Sequence, residues 1–224
     1  MVCAAWTAWQ PDIAGIDNSL MIGALLSTWS ATVYLSSVWR SRIFSETRVR
    51  LDARATVDPL TGLSMPTVLY ERVLAARSLM KRYGHPSVML IVHIDNLPSL
   101  DKEFGPEAAE SALLVAASRI RGALGDGDIA ARVSHSRIAV LAEGASVAEC
   151  TANLASRILV AGLKEPLPSA PTEFLQFRIV LASVPPTELA PKAILQRLSV
   201  RMDEQLFEPS ERHIHTVTAE ELLA

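Results

Sequence analysis

From Pro59 onward the apolar positions alternate between two periods. Leu69, Val73, Ala76 and Met80 recur at spacings of 4, 3 and 4, one face of a helix that ends before Gly84 and Pro86. Val88 to Ile94 is an apolar run with β-branched members, the pattern of a strand buried on both faces. Ala109, Leu113, Ala116, Ile120 and Leu124 form a second helical stripe, closed by the turn Gly125-Asp126-Gly127. Ile129 to Val133 and Ile138 to Ala142 read as a strand pair. Ser146 and Glu149 have the spacing of a capping box, ahead of a helix carrying Val147, Thr151, Leu154 and Ile158. A strand is predicted over Phe174 to Ser183. A helix opened by Pro191 follows, with Ile194, Leu198 and Met202 on one face. A proline-rich loop spans Glu165 to Thr172, and no repeat interrupts the series. The order predicts one α+β domain, a central sheet covered by helices.

A different pattern precedes it. Leu20 to Trp39 holds 20 residues and no charge. At about 1.5 Å per residue it is long enough for the ~30 Å hydrocarbon core of a bilayer. A signal peptide needs a basic start, and no Lys or Arg stands before Arg40; a buried core helix is usually shorter. The segment therefore predicts a transmembrane helix over 20–39. Asp12 and Asp17 lie before it, whereas Arg40, Arg42, Arg48, Arg50 and Arg54 follow it, which orients the C-terminal part inward and leaves residues 1–19 as a short outer N-terminus. Residues 40–57 lack Gly and Pro and suit a continuous helical linker; Phe44 and Leu51, one heptad apart, permit a dimeric stalk, and the basic residues equally suit contact with lipid headgroups.

Composition adds limits. Among 224 residues half are hydrophobic, which leaves apolar length for lipid, and the net charge of −3 gives no electrostatic footprint for nucleic acid. Cys3 and Cys150 are too far apart for a metal-ligand spacing or a disulfide framework, in keeping with a reducing compartment for the main domain.

Several strings, in order, resemble the GGDEF family of diguanylate cyclase domains. Asp58-Pro59-Leu60-Thr61-Gly62-Leu63 is similar to the family's opening D-x-L-T-G-L. His93-Ile94-Asp95, then Leu100, Asp101, Phe104 and Gly105, resembles D-I-D-x-F-K-x-I-N-D-x-x-G. Arg132 matches the arginine before the signature, and Met202-Asp203-Glu204-Gln205-Leu206-Phe207 resembles the late A-D-x-A-L-Y helix. The resemblance implies the nucleotidyl-cyclase palm, a mostly antiparallel central sheet flanked by helices, over residues 58–217, with 218–224 as a C-terminal tail. In the family two protomers each hold a GTP and condense the pair to cyclic di-GMP with divalent metal ions, Mg²⁺ being the family ion.

At the positions that carry this chemistry the sequence departs. The signature G-G-D/E-E-F falls on Ser134-His135-Ser136-Arg137-Ile138. The family's metal-holding positions are occupied by His93 and Ser136, and the phosphate-loop lysine position by Pro98. Imidazole suits Mg²⁺ poorly, and a fixed guanidinium opposes it, so no catalytic residue, no metal ligand and no cofactor is expected. The guanine-recognising positions fall on Asp101 and Glu110, the remaining candidates for nucleotide binding. The late lysine and G-R-N positions fall on Ser210 and His213-Ile214-His215. The R-x-x-D product site reads Gly125-Asp126-Gly127-Asp128, with the acid and without the arginine.

Residue by residue, other chemistry is weak. Ser136 and His135 are neighbours in the chain with no third group to orient the imidazole. His213 and His215 share a strand face, and two ligands without a third make an ordinary strand. His93 reads as a core or cleft histidine, Arg132 as a strand-end ion pair, and Asp58, Thr61 and Gly62 as the joint between linker and domain. Without glycine, Ser134 and His135 either adopt left-handed backbone at about 1 kcal/mol each or the turn changes type. The expected function is signalling without synthesis: a single-pass protein of the bacterial inner membrane, its C-terminal domain in the cytoplasm, acting in cyclic di-GMP-type signalling as a homodimer or with another signalling protein. The alternative is a cyclase-like protein that keeps GTP binding or weak activity.

Overall fold

The computed structural model describes residues 25–35, 56–207 and 212–223, and divides the chain into two compact units, Met1–Arg54 and Ala55–Ala224. In the first unit residues 25–35 are helical, with Leu25, Leu26, Trp29, Val33, Tyr34 and Leu35 exposed. Among the described residues no helix is long and apolar enough to cross a membrane. The predicted span over 20–39 is therefore described only in its middle; its ends, the outer N-terminus and residues 40–55 of the linker lie outside the described residues. The linker helix expected to reach 57 does not do so. Val57 forms an antiparallel bridge with Ser64, and the Met65 N–H donates to the Thr56 carbonyl at 2.9 Å, so the chain is already extended there.

The second unit is the α+β domain. Its elements are α1 (Pro66–Tyr83), β1 (Ser87–Ile94), α2 (Leu97–Phe104), α3 (Pro106–Ala123), β2 (Ile129–Arg132) and β3 (Arg137–Glu143), then α4 (Val147–Cys150), a π-helical turn (Thr151–Ala155), α5 (Ser156–Leu163), β4 (Phe177–Ser183), α6 (Pro191–Phe207), β5 (Ile214–Val217) and α7 (Ala219–Leu223). The sheet order is β2-β3-β1-β4-β5, antiparallel except for the parallel pair β4 and β5. The mostly antiparallel sheet expected of the palm is thus present as a mixed sheet.

Local chemistry sets the element ends. Pro66 and Pro106 stand in the first turns of α1 and α3, where a missing N–H costs nothing. Gly84 ends α1 at φ 71°, its N–H on the Met80 carbonyl. The capping box of Ser146 and Glu149 forms as predicted. A second one, Thr218 with Glu221, starts α7 inside the stretch expected as a tail, and Leu222 there is buried. β4 begins three residues later than predicted. Buried Asn96 takes the backbone before it, donating to the Phe174 carbonyl at 2.8 Å and accepting from the Gln176 N–H at 3.1 Å.

The sheet is buried on both faces, as the apolar run of β1 requires. Val88, Leu90, Val92 and Ile94 pack with Ile138, Val140, Ile179 and Leu181 into the core under α3, α4 and α5. Met89 and Ile91 point the other way, into a core with Ala139, Leu141 and Val180 that α1 and α6 cover through Leu69, Val73, Ile194, Leu198 and Met202. Alternation fixes the rest: His93 lies on the α1/α6 side, at the end of β1. Gly162 lets α5 close onto β4, since a Cβ there would meet the Leu175 carbonyl oxygen at 2.8 Å and the Phe177 ring at 2.9 Å.

Candidate functional site

The opening motif builds a closed turn. Asp58 accepts through Oδ2 from the Thr61 N–H at 2.8 Å and the Thr61 hydroxyl at 2.7 Å, and its backbone takes the Gly62 N–H and gives its own to Leu63. Gly62 sits at φ 66°, a conformation that suits glycine. Arg132, at the end of β2, approaches the same Asp58 oxygen at 3.4 Å, so it is the ion pair expected, and its Nε donates to the Ser134 carbonyl at 3.3 Å. Burial works against the Asp58 charge, yet the two bonds from Thr61 and the cation of Arg132 outweigh it and hold the carboxyl below its usual value.

Ser134, His135 and Ser136 form the bend between β2 and β3, while Arg137 and Ile138 open β3. Among the described residues only glycines have positive φ, so the hairpin has changed turn type rather than strained Ser134 or His135. It is closed by Val133 and Ser134 N–H groups on the Arg137 carbonyl, at 3.1 and 3.2 Å, and tied to β1 by the Ile94 N–H on the Ser136 carbonyl at 3.0 Å. Ile138 is fully buried, whereas Ser134 and His135 are exposed.

The register then brings together residues far apart in sequence. His93 faces Arg137 of β3 on one side and Arg178 of β4 on the other. Arg137 pairs with Asp203 of α6 and reaches the Ser199 carbonyl at 3.5 Å. Arg178 grips Asp95, with Nε and Nη2 on Oδ2 at 3.1 and 2.9 Å, and its Nη1 donates to the Gln205 carbonyl at 3.4 Å. His93 is 8% exposed; Nε2 stands 4.0 Å from Asp95 Oδ1, and buried Nδ1 has no hydrogen-bond partner. Burial is the largest influence and lowers the imidazole's pKa; Asp95 pulls it back up, and the two guanidiniums push it down against the smaller pull of Asp203, so that it stays below its usual value. Two cations thus balance two carboxylates around a neutral imidazole.

The expected site residues distribute unevenly. His93 and Arg137 meet in this cluster, with Ser136 beside them in the chain. Asp101 and Glu110 are exposed on α2 and α3, the helices joined at Gly105, and Pro98 is exposed in the first turn of α2. Asp128 is used structurally, accepting from the Gly125 N–H at 2.8 Å and the Glu143 N–H at 3.3 Å. His215 bonds through Nε2 to the Arg212 carbonyl at 2.7 Å, and His213 is exposed. Among the described residues no three His, Cys, Asp or Glu side chains gather as a metal-holding group. Sequence reasoning missed Arg178. The signal was available: it is the one charge in the strand Phe177–Ser183, and its parity places it beside His93.

Known structures share this architecture. The diguanylate cyclase SiaD of Pseudomonas aeruginosa, solved in complex with its activator SiaC, superposes at TM-score 0.63 with 15% identity, over 90% of this chain and 75% of that one. The GGDEF domain of DgcB from Caulobacter crescentus, solved with c-di-GMP, gives TM-score 0.62 and 17% identity over 74% and 96%. A sensory box/GGDEF family protein of Caulobacter crescentus gives 0.58 and 23% over 67% and 99%. At these identities the likeness is one of fold. Sequence adds the family, because the family model described as "Diguanylate cyclase, GGDEF domain" matches residues 55–208. With its opening turn, mixed sheet and hairpin in family order, this chain belongs to the GGDEF-domain family.

Proposed function

We propose that this protein works in cyclic di-GMP signalling as a GGDEF domain that does not synthesise the messenger. The observation that carries the reading is Arg137, at the second acid of the signature, ion-paired to Asp203 beside His93 and Arg178. Condensing two nucleotides needs hard oxygen ligands for divalent metal. The donors at the corresponding positions are an imidazole, a hydroxyl and a guanidinium, and the nearby carboxylates Asp95 and Asp203 are engaged by arginines. Mg²⁺ does not fit this set. Output then falls to protein contacts, by a second copy of the chain or another signalling protein; SiaD in complex with its activator SiaC shows that a protein of this fold takes a protein partner.

The membrane anchor belongs to the same proposal. Its support is the uncharged stretch Leu20–Trp39, the arginines that follow it, and the exposed apolar side chains of 25–35. On this reading the C-terminal domain lies at the cytoplasmic face of a bacterial inner membrane. Two measurements test the reading. The full chain, supplied with GTP and Mg²⁺ or Mn²⁺, is expected to yield no cyclic di-GMP, and steady turnover refutes the non-synthetic role. Cell fractionation is expected to recover it in membranes resistant to alkaline wash; recovery in the soluble fraction refutes the anchor. GTP binding without turnover, measured by calorimetry, would assign Asp101 and Glu110 a sensing role instead.

A further inference from the structure

We infer that the His93 cluster is a clamp that fastens the C-terminal half of α6 to the sheet and opens when His93 takes up a proton. Three groups of α6 are held by the sheet at this point: the Ser199 carbonyl and the Asp203 carboxylate by Arg137, and the Gln205 carbonyl by Arg178. Those two guanidiniums are the cross-strand neighbours of His93, so these three ties between helix and sheet all lie beside the imidazole. The charged groups facing His93 are Asp95 at the end of its own strand, Arg137 on β3, Arg178 on β4 and Asp203 on α6. With His93 neutral, two cations meet two carboxylates. A proton makes three cations against two carboxylates in a site where the His93 side chain is 10% exposed and Nδ1 has no acceptor.

Water reaches His93 most easily by lifting α6, because Asp203 is the most exposed member of the cluster, its side chain 52% accessible, whereas Asp95 and both arginines are held to 16% or less. Asp203 itself favours the charged imidazole and opposes the move, but burial is the largest influence on His93 and it is burial that the opening removes. Lifting the last turns of the helix gives His93 water. It also loosens Met202, which the same turns bury, so opening is opposed by apolar contact and stays local. The sign follows from linkage. A histidine whose closed-state pKa lies below its open-state value favours the closed form fully above about pH 6.5, and the preference falls as pH drops below that. The response needs no nucleotide and is independent of whether the domain is a cyclase.

Hydrogen exchange of the full chain, read by mass spectrometry from about pH 7.5 to about pH 5.5 and corrected for intrinsic rates, tests the clamp. Amides of 199–207 are expected to exchange faster by up to about tenfold per pH unit below pH 6.5, while those of β1 and α3 stay level. His93→Leu is expected to remove the dependence. A flat profile at 199–207 in the unaltered protein overturns the proposal, as does an equal slope in His93→Leu. Should that variant not fold, the imidazole of His93 is titrated by NMR in the unaltered protein and in Arg137→Gln. An upward move of the midpoint on losing the guanidinium supports the clamp, and an unmoved midpoint overturns it.

Discussion

Replacing Asp58 by alanine removes one carboxylate that organises the turn at the start of the α+β domain. Its Oδ2 accepts from the Thr61 N–H, the Thr61 hydroxyl and the Arg132 guanidinium, at 2.8, 2.7 and 3.4 Å. Hydrogen bonds to a charged group contribute about 1.5–3 kcal/mol, and a buried donor left without a partner costs about 1–3 kcal/mol. Thr61 is 6% exposed, so its N–H has little access to water, while Arg132 keeps the Ser134 carbonyl. The expected loss is about 3 kcal/mol, equivalent to a fall in Tm of roughly 6–12 °C for a domain of this size. Asp58→Asn keeps an acceptor without the charge and is expected to lose about half as much. Because the folded carboxyl is held below its usual 3.8, its contribution is present above that pH and lost as pH falls through the folded value. The advantage of the unaltered protein over Asp58→Asn should therefore shrink on acidification below that point. Urea and thermal denaturation followed by circular dichroism measure both effects. A loss under about 0.5 kcal/mol for the alanine variant, or equal losses for the two, refutes the argument.

Other positions give sharper single outcomes. Gly162→Ala drives a methyl against the Leu175 carbonyl and the Phe177 ring and is expected to cost about 1–3 kcal/mol in urea unfolding; Gly122→Ala, whose Cβ meets nothing within 4 Å, should instead be neutral or stabilising. Burial, aided by Asp128, pushes the Cys150 thiol up to about 11, so peptide mapping should find it unlabelled by iodoacetamide in the folded protein at about pH 8 and labelled after denaturation. Asn96→Ala removes both ties to 174–176 and is expected to cost about 1–3 kcal/mol, with faster proteolysis in that loop as its signature.

Much of the architecture was legible because burial writes period into sequence. The double-faced β1, the helix stripes and the Ser146 capping box lie where the apolar pattern placed them. What the pattern did not reveal depends on partners distant in the chain. Asn96 shortens β4 through contacts 78 and 80 residues away, and α7 is tied back to α6 by the Arg197 guanidinium on the Leu222 carbonyl, 25 residues on. The candidate site divides in the same way. Local motifs identified the signature positions, and the expected choice between strain and a new turn type was resolved toward the latter because no non-glycine residue among those described has positive φ. The pairing of Arg137 with Asp203 and of Arg178 with Asp95 spans 66 and 83 residues. Only the register of β1 between β3 and β4 makes them neighbours of His93.

The position of β1 at the centre of the sheet also bears on how the domain is made. As the chain leaves the ribosome, β1 is synthesised first among the strands, yet its flanks come from β3 and from β4, which ends at Ser183. The last strand, β5, joins in parallel only after α6 has been produced and has crossed the sheet. Until then β4 presents an open edge of Ile179, Val180 and Leu181, a template for pairing with another nascent chain. Synthesis that pauses after α6 therefore prolongs the aggregation-prone interval, and chaperone capture should be strongest there.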